Sequence, residues 1–288
     1  MTPPYEDMLE KLYRTLLRPG DVAIDVGAHV GRHAFPIAAA VGATGRVFCF
    51  EPLPQQYATL ENRIGSRDES AQSSSGEIVP YNLALGDEEG EANFTVVPDF
   101  PEYSGFQERS YGDSPLRTES IRVQVRRLDA LRERFGRVRY MKIDAEGAEL
   151  LILRGARELL AESRPVVSFE FGNAALVNYP YTAADCFDYF AGLGYAVYSI
   201  FGQALGRDEF IQCAQDQYFW DYFAIPSEQP WSLGHQHIGI LVRQLATAGP
   251  AEDLESRARL EAVMGSLSWR VTAPLRKLAT LLGARPGA

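Results

Sequence analysis

The stretch VAIDVGAHVGRH, residues 22–33, decides how the rest of the chain is read. VAIDV is a compact apolar run closing on a glycine, the mark of a strand buried on both faces. Gly27 and Gly31 flank a tight turn into a helix-like stretch (31–42), and glycines there let backbone approach a ligand closely. The spacing is Gly-x-x-x-Gly. His29 stands where dinucleotide sites place the glycine that admits a pyrophosphate, which argues against NAD or FAD. Taken alone, the turn is equally a structural one.

Working outward, the pattern repeats. Residues 4–17 carry Met8, Leu9, Leu12, Leu16 and Leu17 at helical spacing and end at Pro19-Gly20. RVFCF (46–50) predicts a second strand and 53–65 a helix, while the polar 66–77 reads as a solvated loop. Strands are expected near 78–82, 91–97, 119–126, 138–144, 165–171, 195–200 and 218–225, with helices over 146–162 and 182–192. FWDYF (219–223) reads as a core-facing last strand. Such alternation implies parallel crossovers and a three-layer α/β sheet, whose ligands gather at the carboxyl ends of the strands.

The 288 residues are 46% hydrophobic and 23% charged, enough for a sizeable core and unlike a disordered chain. A net charge of −10 leaves no dominant basic face for nucleic acid. Cys49, Cys186 and Cys213 are too few and scattered for a disulfide framework or a thiolate metal site, and fit a reducing compartment. No apolar run approaches the ~18 residues that span a membrane. MTPPYEDMLE lacks the layout of a secretory signal, so a cytoplasmic protein is expected.

The second strand ends at Glu51, placed to accept hydrogen bonds from both hydroxyls of a ribose. An exposed strand-end acid is the plainer reading of that residue alone. A ribose without a pyrophosphate describes S-adenosylmethionine. The segments VAIDVGAHVGRHAFPIA, VFCFEPLPQQYATLENRI, NLALGDEEGEANF and MKIDAEGAELLILRGA, in that order over residues 15–226, resemble the FkbM family of S-adenosylmethionine-dependent methyltransferases. MKIDAEGAE (141–149) is the most specific piece. His29 and His33 depart from the family's asparagine and small hydroxyl residue at those positions.

The resemblance implies a class I Rossmann-like fold: a mostly parallel seven-stranded sheet with helices on both faces. It implies that Asp25, Gly27, His29 and Gly31 line the methionine moiety, that Glu51 binds the ribose, and that Pro52, Asn82 and Ala84 border the adenine, with Asp87 nearby. Asp144 is expected by the sulfonium, where a carboxylate suits positive charge. Methyl transfer to oxygen needs positioning and removal of a proton. Asp144, Glu146 and Glu170 are the candidate bases, unranked. Glu170 stands out as an acid inside an apolar strand, costly to bury without a partner or a task. Glu149 is read as a helix-start acid favoured by the dipole. His33, a turn inside the helix, is read as packing. No metal is expected at His29 and His33, which lack a metalloprotease helix's glutamate, and His235 and His237 read as solvated. The loop 98–118, with Tyr103, Phe106 and Tyr111, is expected to cover the acceptor.

The methyltransferase domain is thus expected over 1–226, a linker over 227–250 and an amphipathic basic helical tail over 251–288, broken at Pro274. The last 25 residues carry Arg270, Arg276, Lys277 and Arg285 without an acid. GSLSWRVTAPLRKLATLLG (265–283) resembles tails on bacterial enzymes that build cell-surface glycans. It could dock on the domain, form a homodimer, or lie on an anionic membrane or against a glycan-assembly enzyme. Together these favour an O-methyltransferase acting on a sugar hydroxyl. The rivals are a nicotinamide-dependent oxidoreductase and a non-catalytic cofactor-binding module.

Overall fold

The computed structural model describes residues 5–107, 116–217 and 219–229. Tyr111, both linker histidines and the tail lie outside the described residues. The first half runs α1 (Tyr5–Leu16), β1 (Val22–Val26), α2 (Ala34–Val41), β2 (Arg46–Phe50), α3 (Pro54–Gly65), α4 (Glu69–Ser74), β3 (Glu77–Tyr81), β4 (Ala84–Leu85), β5 (Gly90–Val96) and β6 (Glu119–Arg126). The second runs α5 (Leu128–Phe135), β7 (Val138–Ile143), α6 (Glu149–Gly155), α7 (Arg157–Ser163), β8 (Val166–Glu170), α8 (Asn173–Leu176), α9 (Ala183–Gly192), β9 (Tyr195–Ser199), β10 (Ala204–Leu205), α10 (Arg207–Asp216) and β11 (Asp221–Pro226).

The large sheet has the order β10-β9-β11-β8-β7-β1-β2-β3. The strands from β3 to β8 pair in parallel, and β11 is inserted antiparallel to both β8 and β9. All seven strands expected in it are present, and two-residue β10 is added at one edge. Three expectations are corrected. Residues 66–77 are not wholly loop, because 69–74 form α4. The helix expected over 146–162 is two, starting only at Glu149 and broken at Ala156. The helix after β1 starts at Ala34, so His33 is its N-cap residue rather than a turn inside it.

Period-two alternation decides which side chains face which layer. Phe48, Phe50, Met141, Ile143 and Phe169 share the face covered by α5 to α10, where Phe135 packs on Phe48 and Phe190 on Phe169. The opposite face carries Asp25, Tyr140, Lys142 and Ser168, and α1 lies against it. Leu9, Leu12, Tyr13 and Leu16 form the buried stripe of α1, with Glu6 and Asp7 in its first turn and Arg14 in its last, as the helix dipole favours. Tyr13 meets Tyr140 at 5.7 Å between ring centroids, and the Tyr140 and Ser168 hydroxyls hydrogen-bond at 2.7 Å. The buried hydroxyls are thereby satisfied.

A second sheet, β4-β6-β5, stands apart with its own small core of Leu53, Ala84, Phe94, Val123 and Val125. Its outer face bears ion pairs, Arg122 with Glu91 and Arg126 with Glu89. The described start of the 98–118 loop hangs from this sheet.

Candidate active site

The turn after β1 is shaped by three residues with positive φ, Gly27, His29 and Gly31. Gly27 (φ 74°) presses so close to β7 that a Cβ there would lie 1.8 Å from the Asp144 carbonyl oxygen. His29 (φ 47°) follows in the left-handed region despite its side chain, and Gly31 closes the turn by donating its N–H to Ala28 O at 2.7 Å. The His29 N–H donates to Glu51 Oε2 at 2.8 Å, and the Leu53 N–H to Glu51 Oε1 at 2.9 Å. Glu51 is therefore not an exposed strand-end acid but a buried one that ties the two strand ends together. Burial raises its carboxyl to about 7, against the pull of those two N–H groups. Each oxygen keeps a lone pair to accept a further hydroxyl. Pro52 and Glu51 offer their carbonyls to the Asn82 side-chain amide, at 3.1 and 2.8 Å, so Asn82 is oriented at this same edge. Ala84 is buried in the core of the second sheet, and Asp87 lines a separate cleft with Arg127 and Arg132.

Asp25 is 1% exposed, and neither carboxylate oxygen has a hydrogen-bond partner. Burial raises its carboxyl, opposed by the nearby Lys142 and His33. Lys142 is the buried cation of this face, its Nζ donating to Asp144 Oδ2 at 2.8 Å. Burial alone would raise Asp144, but the charge and hydrogen bond of Lys142 bring it below the usual carboxylate range. Lys142 is itself held charged: burial works against the ammonium, and the Asp144 and Asp25 carboxylates outweigh it. The Asp144 side chain keeps 31% of its surface open, against 4% for Lys142. Glu170 hydrogen-bonds Asp144 from the end of β8, and burial together with the Asp144 and Asp221 charges pushes its carboxyl well up. Of the pair, Glu170 is thus the member whose protonated form is favoured.

The KIDAEGAE turn places its acids differently from the sequence expectation. Glu146 (φ 54°) lies in the turn before α6, not in a helix. Glu149 does more than face a helix dipole. Its buried Oε1 accepts the Ala145 N–H at 3.0 Å and the Gly147 N–H at 3.2 Å, clasping the turn that presents Asp144 and Glu146. Gly147 (φ 100°) lets the backbone pass under Tyr179, and the Tyr181 hydroxyl donates to its carbonyl. Burial raises Glu149 to about 7 against those N–H groups. A carboxyl raised in the fold contributes stability that is complete below its ordinary value of 4.5 and is lost as pH rises through about 7. Glu149→Gln, which keeps the accepting oxygen, should show a smaller fall in unfolding free energy between pH 5 and pH 8 than the wild type, measured by urea titration. Equal slopes would remove Glu149 from the account.

His33 is a strut. Its Nε2 is bound to the Glu6 carboxylate and its Nδ1 lies 3.2 Å from the Tyr13 hydroxyl, so both ring nitrogens are taken by α1. Arg32 adds ion pairs to Glu10 at 3.0 Å and Asp7 at 3.3 Å. His29 points elsewhere, half-buried with Nε2 unpartnered, and burial lowers its imidazole against the nearby Glu102 and Asp144. Glu102 belongs to the loop after β5, which folds back as Thr95 and Gly105 exchange N–H donors at 2.8 and 3.0 Å. Phe106 anchors that loop on Phe94, and Gly105 rests against Glu146. Phe106 is thus an internal contact, while Phe100 stays 43% exposed and stacks on Tyr103.

Asp221 went unnoticed in the sequence. It is the first residue of β11, opposite Glu170 in the register, while Phe219, Tyr222 and Phe223 around it are core residues as expected. Burial and the Asp144 and Glu6 charges raise it to about 7. An acid opening an apolar strand was the available signal, the one that singled out Glu170.

A parallel sheet with an inserted antiparallel strand, a glycine turn after β1 and a buried acid after β2 define the Rossmann-like methyltransferase class. The methyltransferase FkbM domain model matches residues 25–197, and the chain belongs to that family. Among solved structures it is similar to a methyltransferase FkbM from Methylobacillus flagellatus KT, at 16% identity and a TM-score of 0.43. That match covers 75% of this chain and 50% of the other, so the chain spans about half the length of that relative. It is also similar to an O-methyltransferase from Bacillus cereus in complex with SAH (13% identity, TM-score 0.43, covering 78% and 82%). A third is Aeropyrum pernix fibrillarin with natively bound S-adenosyl-L-methionine (14% identity, TM-score 0.39, covering 72% and 67%). No curated protein matches significantly.

Proposed function

We propose that the protein is an S-adenosylmethionine-dependent O-methyltransferase that methylates a sugar hydroxyl in the making of a cell-surface polysaccharide or related glycan. The observation that carries the donor assignment is Glu51, a buried carboxylate fixed by two backbone N–H groups beside the Gly27 turn. The residues present fit the donor. Glu51 suits a ribose, Asn82 and Pro52 flank it, and Asp25 and Asp144 offer negative charge to a sulfonium and an ammonium. Bound there, the donor supplies an electrophilic methyl group on sulfur. The His29 side chain in the middle of the turn opposes a pyrophosphate, which disfavours a nicotinamide cofactor.

The chain's own groups do the rest. Lys142 keeps Asp144 ionised and oriented, Glu149 holds the turn, and α1 braces it through His33. For a sugar acceptor, the carboxylates can take several hydroxyls, and the exposed Phe100–Tyr103 stack offers an apolar face to a pyranose ring. The basic tail would carry this chemistry to an anionic membrane surface or a glycan-assembly enzyme. Among the described residues no helix is long and apolar enough to cross a membrane.

Calorimetric titration with S-adenosylmethionine and with NADH tests the donor. Micromolar binding of the first alone, weakened at least tenfold (about 1.4 kcal/mol) in Glu51→Ala, is the expected result. Binding of NADH instead, or of neither, would overturn it.

A further inference from the structure

The site holds more acids than its own buried cation can pair with. Lys142 is committed to Asp144, Asp25 is buried with both oxygens unpartnered, and Glu170 bonds to Asp144. Asp221 has no hydrogen-bond or ion-pair partner among the described residues, although it sits opposite Glu170 at the functional edge of the sheet. Asp25 is sealed at 1% exposure, whereas Asp221 is half-buried, so of the two unpartnered acids Asp221 is the one open to a ligand. We propose that Asp221 is the catalytic residue that binds the acceptor hydroxyl and takes its proton, with Glu170 and Asp144 serving as a hydrogen-bonded pair beside it. The proposal rests on the methyltransferase reading.

The chemistry favours Asp221 over the other acids. Asp144 is a weak base because Lys142 stabilises its ionised form, and burial and the neighbouring acids push Glu170 towards its protonated form. Charged groups reach Asp221 from three sides: Glu170 on β8, Asp144 and Lys142 on β7, and Glu6 on α1. They leave it titrating near 7, where a carboxylate is both ionised in useful amount and basic enough to work. As the hydroxyl oxygen forms its bond to the methyl carbon, the carbon–sulfur bond pair returns to sulfur. The hydroxyl proton passes to the Asp221 carboxylate and then to solvent.

The test needs no acceptor. Sinefungin replaces the methyl-bearing sulfonium with a carbon bearing an amine, which projects towards the acceptor side, whereas S-adenosylhomocysteine carries nothing there. Both are titrated calorimetrically at pH 8 into the full chain, its Asp221→Asn variant and Asp221→Glu. The expected result is a loss of sinefungin affinity of at least tenfold in Asp221→Asn, partial recovery in Asp221→Glu, and S-adenosylhomocysteine affinity within twofold throughout. Sinefungin affinity unchanged in Asp221→Asn, or both affinities falling alike, would overturn the proposal. Wild-type protein that binds neither compound would instead bring down the donor assignment itself, and this proposal with it.

Discussion

Replacing Gly27 by alanine should lower the unfolding free energy by about 3–5 kcal/mol and abolish measurable cofactor binding. The new Cβ would fall 1.8 Å from the Asp144 carbonyl oxygen, a backbone atom that no rotamer change can move aside. A left-handed conformation at φ 74° adds strain for any residue with a side chain. Relief requires the turn and the end of β7 to separate. That would shift the Glu51 clasp and the Asp144 carboxylate together, so binding and stability should fall in one step. Gly65→Ala is the control, because a Cβ at the end of α3 meets nothing within 4 Å. Urea unfolding of both variants checks the claim, and equal stabilities would refute it.

The second large effect is expected from Lys142→Met. Its ammonium is the buried partner of Asp144 and stands in register with Asp25, whose oxygens have no hydrogen bond. Removing one side of a buried pair leaves an uncompensated charge, at a cost of about 3–5 kcal/mol. The pH dependence separates this from lost packing. Asp144 is depressed in the wild type, so its contribution is present above the ordinary value of 3.8 and fades as pH falls through its folded value. Without Lys142 the carboxyl protonates more readily, so the gap between the two proteins should narrow from pH 7.5 to pH 5. A gap of constant size would mean that volume rather than charge was lost.

Much of this architecture is legible in the sequence because buried parallel strands are continuous apolar runs, and Val22–Val26 and Arg46–Phe50 begin and end where those runs do. The short amphipathic elements were not. LDALRERF and RDEFIQCAQD bury few apolar side chains each, Leu128 and Phe135 beside the buried Asp129 in one and Phe210 and Ala214 in the other, too few to set a period. The break between α6 and α7 has a tertiary neighbour, since Gly155 sits so close to the Gly86 carbonyl that a Cβ would lie 1.9 Å from it. At the site, motif spacing singles out Gly27, Glu51 and Asp144. It carries no information about pairing across strands, which is what joins Glu170 to Asp144 and sets Asp221 opposite Glu170. Glu149 shows the same limit: its role as a clasp depends on a turn geometry that its helix-start position does not reveal.

The insertion of β11 also governs when the protein can finish folding. Strands β8 and β9 never pair with each other; β11 fills the place between them, and it is made after both. Until Pro226 emerges, Phe169 is paired only with β7 and Val197 only with β10, so β8 and β9 each keep one side open. Open, apolar edges are the surfaces on which unfinished chains associate. β11 thus closes both open sides in one event, and sets Asp221 opposite Glu170 as it does so.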